Sequence, residues 1–243
     1  KKIRGILSEG MLCSAEELGL PRENDGLLEL PVDLKLGTAM SEFLGKKSDI
    51  IFDIDNKSLT HRPDLWGHYG QAREFSALFE KPLKPFLQES EQLKATNEGP
   101  IKVSVEKDSC GIAYYGLTID GVSVSESPSW MRERLESAGL NSKNSIVDIS
   151  NYVMLDLGLP NHIFDADKIK GNISVNLLKD PCDFVSLDDE KRHLLPGDTV
   201  VSDDTGPLVI AGLIGGASTS VSEDTSKVFV EVATWKASSV RNT

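Results

Sequence analysis

Ile149-Ser150-Asn151-Tyr152-Val153-Met154-Leu155-Asp156-Leu157-Gly158-Leu159-Pro160-Asn161-His162-Ile163-Phe164-Asp165 decides the reading of this chain. Ile149, Tyr152, Val153 and Leu157 fall at helical spacing, and Gly158 with Pro160 ends the helix. Asn151 is placed at the helix start, and Asn161-His162 on the loop after the stop. Upstream, Ser145-Ile146-Val147-Asp148 reads as a capping box with Asp in the acidic place. A first helix opens at Ser127-Pro128, carries Trp130, Met131, Arg134, Leu135 and Ala138 on one stripe, and stops at Gly139. The stretch is thus the second arm of a helical pair.

Strands surround the pair. Ile101, Val103 and Val105 alternate, as do Ala113, Tyr115, Leu117 and Ile119 up to the turn Asp120-Gly121. Further strands are expected at Ile173–Leu177, around Val185-Leu187, at Thr199–Val201, at Leu208–Ala211 and at Val228–Ala233. Strands with one helical pair predict an α+β fold with a strongly bent sheet or barrel-like core. Before it, Lys1–Leu7 reads as strand, and residues 1–45 as the last strands of a small β module with a turn at Glu23–Gly26. Ile50–Asp55 reads as strand and Pro63–Phe79 as a helix. Gly67 and Gly70 within that helix imply close packing on a neighbour. The polar stretch Glu89–Gly99 reads as a linker, with a boundary near residue 90. The chain opens on Lys1, and an excised piece of a longer protein is expected.

The totals exclude several classes. Net charge is −12, from 26 Lys+Arg and 38 Asp+Glu, which opposes a surface built to wrap nucleic acid. No apolar run approaches the roughly 18 residues that span a membrane. Cys13, Cys110 and Cys182 suit buried, inert thiols in a reducing compartment. There is no HExxH, no clustered metal-ligand set and no G-x-S-x-G elbow.

Three features suggest chemistry. Glu231 interrupts a valine strand, with Val228, Val230 and Val232 on one face and Phe229, Glu231 and Ala233 on the other. A carboxylate there either faces solvent or is an inward acceptor awaiting a donor. His162 either positions or deprotonates water, or is an ordinary surface or capping residue. Ala211-Gly212-Leu213-Ile214-Gly215-Gly216 lacks dinucleotide-site spacing and reads as a bulge or tight turn where backbone approaches something closely.

Several motifs in order carry a resemblance: Lys2-Ile3-Arg4-Gly5-Ile6, Ser8–Ser14, Arg62-Pro63-Asp64, Gln71-Ala72-Arg73-Glu74, Asn151–Leu155, Gly158, Pro160, His162, Phe164-Asp165, Ala211–Gly216 and Glu231. Along its length the chain resembles the bacterial phenylalanine–tRNA ligase β-subunit family. The resemblance implies the end of a tRNA-binding OB-type module over residues 1–45 and the closing half of a small α/β N-terminal domain over 46–90. It implies an editing domain, of the third and fourth modules together, over 91–243. Such a domain hydrolyses tyrosine misattached to tRNA(Phe). His162 and Asn151 then hold the ester and a water, and Glu231 accepts the tyrosyl hydroxyl. Gly212, Ser150 and Ala211 line the pocket. The family commonly has Gln, Pro, Met, His, Ala where this chain has Leu159, Pro160, Asn161, His162 and Ile163, so the loop lining is altered. Also implied are an α subunit in an α2β2 heterotetramer, the tRNA acceptor end and a cytoplasmic location. No cofactor is expected in this piece, with ATP and Mg2+ serving the complete enzyme. The alternative is a non-catalytic scaffold and tRNA-end docking module of the same enzyme.

Overall fold

Alternating apolar strands, two glycine-stopped helices and a valine-rich closing strand assemble into an α+β architecture. The computed structural model describes residues 2–18, 20, 26–45, 50–86 and 99–243. They divide into two compact units, Lys1–Phe52 and Asp53–Thr243.

The first unit is sparse in regular structure. Lys2–Ile3 (β1) and Ile6–Leu7 (β2) form a hairpin, not the single strand expected. Arg4 and Gly5 both take positive φ, 50° and 86°, as a tight two-residue hairpin turn demands. A short helix, Met40–Phe43 (α1), follows. Leu27–Leu30 joins no strand, although Leu28 N–H donates to the Cys13 carbonyl at 2.9 Å. Of the expected turn at Glu23–Gly26, only Gly26 lies within the described residues, and the linker read at Glu89–Gly99 lies outside them apart from Gly99.

Ile50–Asp55 is not a strand, and Ile51 and Phe52 are exposed. In the second unit Pro63–Trp66 is a 3-10 turn and His68–Leu78 (α2) a separate helix, split by extended Gly67. The split has a steric cause. A Cβ on Gly67 would lie 2.1 Å from the backbone nitrogen of Gly158, at the far end of another helix. Gly70 packs differently, against the Asp64 carbonyl of its own preceding turn. Arg62 bridges Asp64 and Glu74, and Arg73 also reaches Asp64, which ties the turn to α2.

Val103–Val105 (β3) and Gly111–Asp120 (β4) lead to the helical pair Ser129–Ser137 (α3) and Ser145–Leu157 (α4). The cap of α4 lies one residue earlier than the sequence pattern suggests. Asn144 Oδ1 accepts from Val147 N–H at 3.0 Å. That leaves Asp148, fully buried, to receive Ser127 Oγ, Ser142 Oγ and Lys143 N–H. Burial alone would raise its proton affinity; these donors and nearby Arg132 outweigh burial and hold its carboxyl below the usual range. At the other end Gly158 closes α4 with φ 69°, and His68 Nδ1 lies 3.0 Å from the Leu155 carbonyl, one of the helix's open acceptors.

The remaining strands are His162–Asp165 (β5), Ile173–Leu177 (β6), Cys182–Val185 (β7), Lys191–Leu194 (β8), Thr199–Asp203 (β9), Gly206–Ile210 (β10), Ile214–Gly215 (β11) and Lys227–Trp235 (β12). A short C-terminal helix, Ala237–Asn242 (α5), ends the described chain. The strands build open sheets within the α+β class expected. One has five strands in the order β11-β10-β9-β6-β3, one has three in the order β4-β12-β5, and β7-β8 is a hairpin. The five-stranded and three-stranded sheets share a core of Phe164, Val175, Val201, Val209 and Phe229, with Tyr114 and Trp235 at its margin. Phe184, Leu194, Val200 and Ile210 form a second core that involves the β7-β8 hairpin. Each fully buried Phe or Val contributes about 1.5–3 kcal/mol. The cysteines are free, as expected, but only Cys110 is buried; Cys13 and Cys182 are partly exposed. No helix among the described residues is long and apolar enough to cross a membrane.

Gly67→Ala should lower stability by about 1–3 kcal/mol, because rigid backbone on α4 meets the new methyl. Urea denaturation measures it, and an unchanged midpoint would contradict the close approach.

Candidate functional site

Antiparallel pairing places directly opposite residues on one face, so register alone assembles a row across the three-stranded sheet. Gly116 on β4 pairs with Glu231 on β12, and Glu231 with His162 on β5. Phe229 pairs with Phe164 and Ala233 with Tyr114 on the same face. This is the face that meets the five-stranded sheet.

Glu231 therefore points inward and is only 5% exposed. Tyr114 Oη donates to its Oε2 at 2.9 Å. The other oxygen, Oε1, accepts from no described residue. Desolvation pushes the carboxyl up to about 7, against the opposing pull of the Tyr114 hydrogen bond. Burial, with the adjacent Glu231, also drives the Tyr114 phenol well above its usual range, so it stays a neutral donor.

His162 is a strand residue, not the loop residue expected. Its ring stands edge-on to Phe164, with centroids 4.4 Å apart. The opposite contact is with Gly215 on β11, where a Cβ would lie 2.2 Å from the His162 ring. Nε2 is buried there without a partner, and no described residue bonds Nδ1. Burial lowers the imidazole to about 4. It is neutral at pH 7, and a much weaker base than an exposed histidine.

The other expected residues are placed less directly. Asn151 lies mid-helix in α4, not at its start, and its side chain makes no hydrogen bond to a described residue. Ser150 is engaged within the chain: its Oγ donates to Asn161 Oδ1 at 2.7 Å, and Asn161 Nδ2 returns to the Ser150 carbonyl at 3.1 Å. This clasp fixes the loop between α4 and β5. Ala211 is buried, its N–H donating to the Thr199 carbonyl. Gly212 turns the chain with φ 72° and faces Val240 and Trp235. So the glycine-rich segment does make close approaches, but Gly215, not Gly212, meets His162.

Sequence reasoning missed Gly215 and Tyr114 as site residues. Strand alternation held a signal for Tyr114, since it shares a face with Gly116, but its pairing with β12 is more than 100 residues distant. Among the described residues no three His, Cys, Asp or Glu side chains gather as a metal site.

Two buried groups of opposite charge type, each favoured in its neutral form, sit side by side. Glu231 binds its proton more tightly folded than unfolded, with about 7 against an ordinary 4.5, so it lowers stability progressively as pH rises through that window. His162, at about 4 against 6.5, does the reverse: it lowers stability as pH falls through its window. Relative to wild type, Glu231→Gln should gain up to ~3 kcal/mol as pH rises from about 4.5 to 7. His162→Gln should lose its advantage over wild type as pH rises from about 4 to 6.5. Urea midpoints across pH test both, and parallel profiles for all three proteins would contradict the burial of these groups.

The B3/4 domain family matches residues 111–243, which contain every residue of this site. The chain is 39% identical to the phenylalanine–tRNA ligase β subunit of Fusobacterium nucleatum, covering 100% of this chain and 30% of that protein. It is 41% identical to the β subunit of Solibacter usitatus, covering 100% of this chain and 31% of that one. It thus spans about a third of the length of these relatives. A crystal structure of an N-terminal fragment of the phenylalanyl-tRNA synthetase β subunit from Pyrococcus horikoshii is similar at 22% identity and TM-score 0.44, over 75% of this chain and 55% of that one. The chain belongs to the B3/4 domain family, and along its whole length it resembles phenylalanine–tRNA ligase β subunits.

Proposed function

We propose that the second unit carries the editing site of a phenylalanine–tRNA ligase, hydrolysing tyrosine from mischarged tRNA(Phe). The observation that carries this reading is Glu231: a carboxyl buried between sheets, one oxygen held by Tyr114 and the other bonded to no described residue. Such an acceptor would favour a phenol over a phenyl ring, because only the phenol brings a hydroxyl donor. A buried acceptor left unpaired by phenylalanine can discriminate by about 10⁴ or more. His162, beside Glu231 in register, accepts a hydrogen bond from water through Nδ1. With a conjugate acid near 4 it orients that water more than it takes a full proton, and a hydroxyl of the terminal ribose shares the proton transfer. Water oxygen bonds to the ester carbonyl carbon, the bond to the ribose oxygen breaks, and that oxygen leaves protonated. The unengaged Asn151 amide serves the ester or the terminal nucleotide.

In this reading residues 1–45 end an OB-type tRNA-binding module, 46–90 complete a small N-terminal domain, and 91–243 edit. The complete enzyme would be a cytoplasmic α2β2 heterotetramer acting on tRNA(Phe). ATP and Mg2+ would serve its aminoacylation step on the α subunit.

In the full-length enzyme Glu231→Ala should slow hydrolysis of tyrosyl-tRNA(Phe) by about 10–100-fold, the value of a hydrogen bond to a charged acceptor, and spare phenylalanyl-tRNA. Single-turnover deacylation measures this. Equal rates for wild type and variant would overturn editing and favour a docking scaffold.

A further inference from the structure

We propose that Tyr114 is a specificity-determining positioning residue: its phenol pins Glu231 Oε2 and so presents Oε1 to the ligand's hydroxyl. This rests on the reading of Glu231 as acceptor for a tyrosyl hydroxyl.

The geometry separates two roles that one phenol could play. A tyrosine inside a tyrosine-selective slot could be a tethered competitor for the acceptor. A carboxyl, however, has two oxygens. Tyr114 Oη engages Oε2 at 2.9 Å, while Oε1 takes no hydrogen bond from a described residue. Both oxygens can therefore be satisfied at once, one from within and one by the ligand. Tyr114 is itself fixed, by β4-β12 pairing through Ala233 and by an edge contact with Trp235 at 6.3 Å. Gly116, next on the same face, leaves its space to the Phe229 ring, where a Cβ would lie 2.2 Å away. The Glu231 carboxyl is thus held by a fixed donor on a fixed strand.

The phenol also sustains the ionised acceptor. Burial raises the proton affinity of Glu231, and the Tyr114 hydrogen bond is what opposes it. The titratable groups facing Glu231 are Tyr114 on β4 and neutral His162 on β5; no charged group shifts it. An ionised carboxylate accepts only, which suits a hydroxyl donor.

The test is single-turnover deacylation of tyrosyl- and phenylalanyl-tRNA(Phe) by the full-length enzyme between about pH 5.5 and 8.5, with Tyr114→Phe, Glu231→Ala and the double variant. Tyr114→Phe should raise the half-saturating concentration for tyrosyl-tRNA about tenfold, as for one lost hydrogen bond to a charged acceptor. The maximal rate should stay within about twofold, because Tyr114 positions the binding carboxyl and not the reacting ester. The acid limb of the profile should move to higher pH, and phenylalanine aminoacylation should be unchanged. Tyr114→Phe should add nothing once Glu231 is alanine. If thermal unfolding shows that Tyr114→Phe has lost the fold, 3-fluorotyrosine at 114 asks the same question with a stronger donor of nearly the same shape, and the limb should move down. A wild type that does not deacylate tyrosyl-tRNA removes the editing reading and this proposal with it. A wild type that edits, with Glu231→Ala impaired but an unmoved profile and affinity in Tyr114→Phe, overturns Tyr114 alone. So does tighter binding by Tyr114→Phe, which would make the phenol a competitor.

Discussion

The hydrogen bond between Tyr114 and Glu231 reconciles a carboxyl with an apolar interior. An ionised carboxylate between two sheets carries a desolvation penalty of several kcal/mol. One phenol donor offsets only part of it, and the group answers by binding its proton up to about pH 7. Phe164 and Phe229, fully buried beside it, provide the apolar packing that lets the sheets tolerate the misfit. His162 meets the same environment and yields in the opposite direction, toward the neutral imidazole. The site therefore holds two groups that titrate toward neutrality without pairing with each other. Neighbouring titratable groups driven apart in this way are characteristic of sites that divide acid and base roles.

Missing side chains shape the site as much as present ones. Gly158 and Gly67 let α4 end against the turn before α2. The clasp of Ser150 and Asn161 then carries the chain into β5 at a fixed place. Gly215 gives the His162 ring a flat wall of backbone, and Gly116 leaves room for Phe229. Each of these approaches is close enough that an added Cβ would force its neighbour to shift.

Much of this was legible in the residues. The helical pair, its glycine stops and the valine strand interrupted by Glu231 follow from periodicity, and periodicity is a local property; that the carboxyl faces inward does not. The errors have non-local causes. Ile50–Asp55 alternates like a strand but is not one, because alternation is local and strand formation depends on distant pairing. Lys191–Leu194 pairs as β8 without any apolar alternation: β7 offers it a strand to pair with, and Leu194 is the one residue of β8 that it buries. His162 was expected on a loop because Pro160 and Asn161 precede it, yet β12 recruits it into a sheet. Asn144 displaced Ser145 as the cap because Asp148 had stronger donors elsewhere. Glu231 stood out as a charge among valines. Tyr114 did not, since a tyrosine in a strand has no odd neighbour; only the register of β4 against β12 shows what it holds.

That register also governs how the molecule is made. Tyr114 and Glu231 are 117 residues apart, and β12 lies between β4 and β5 in the sheet. During synthesis β4 and β5 emerge long before the strand that must separate them, and they wait as unpaired edges. Closing so long a loop delays the central pairing relative to the local helical pair. The pocket is accordingly a late product of folding, completed when β12 inserts. A nascent chain stalled before residue 227 would hold His162 and Tyr114 but no acceptor between them, and its exposed strands would be targets for chaperones or for one another.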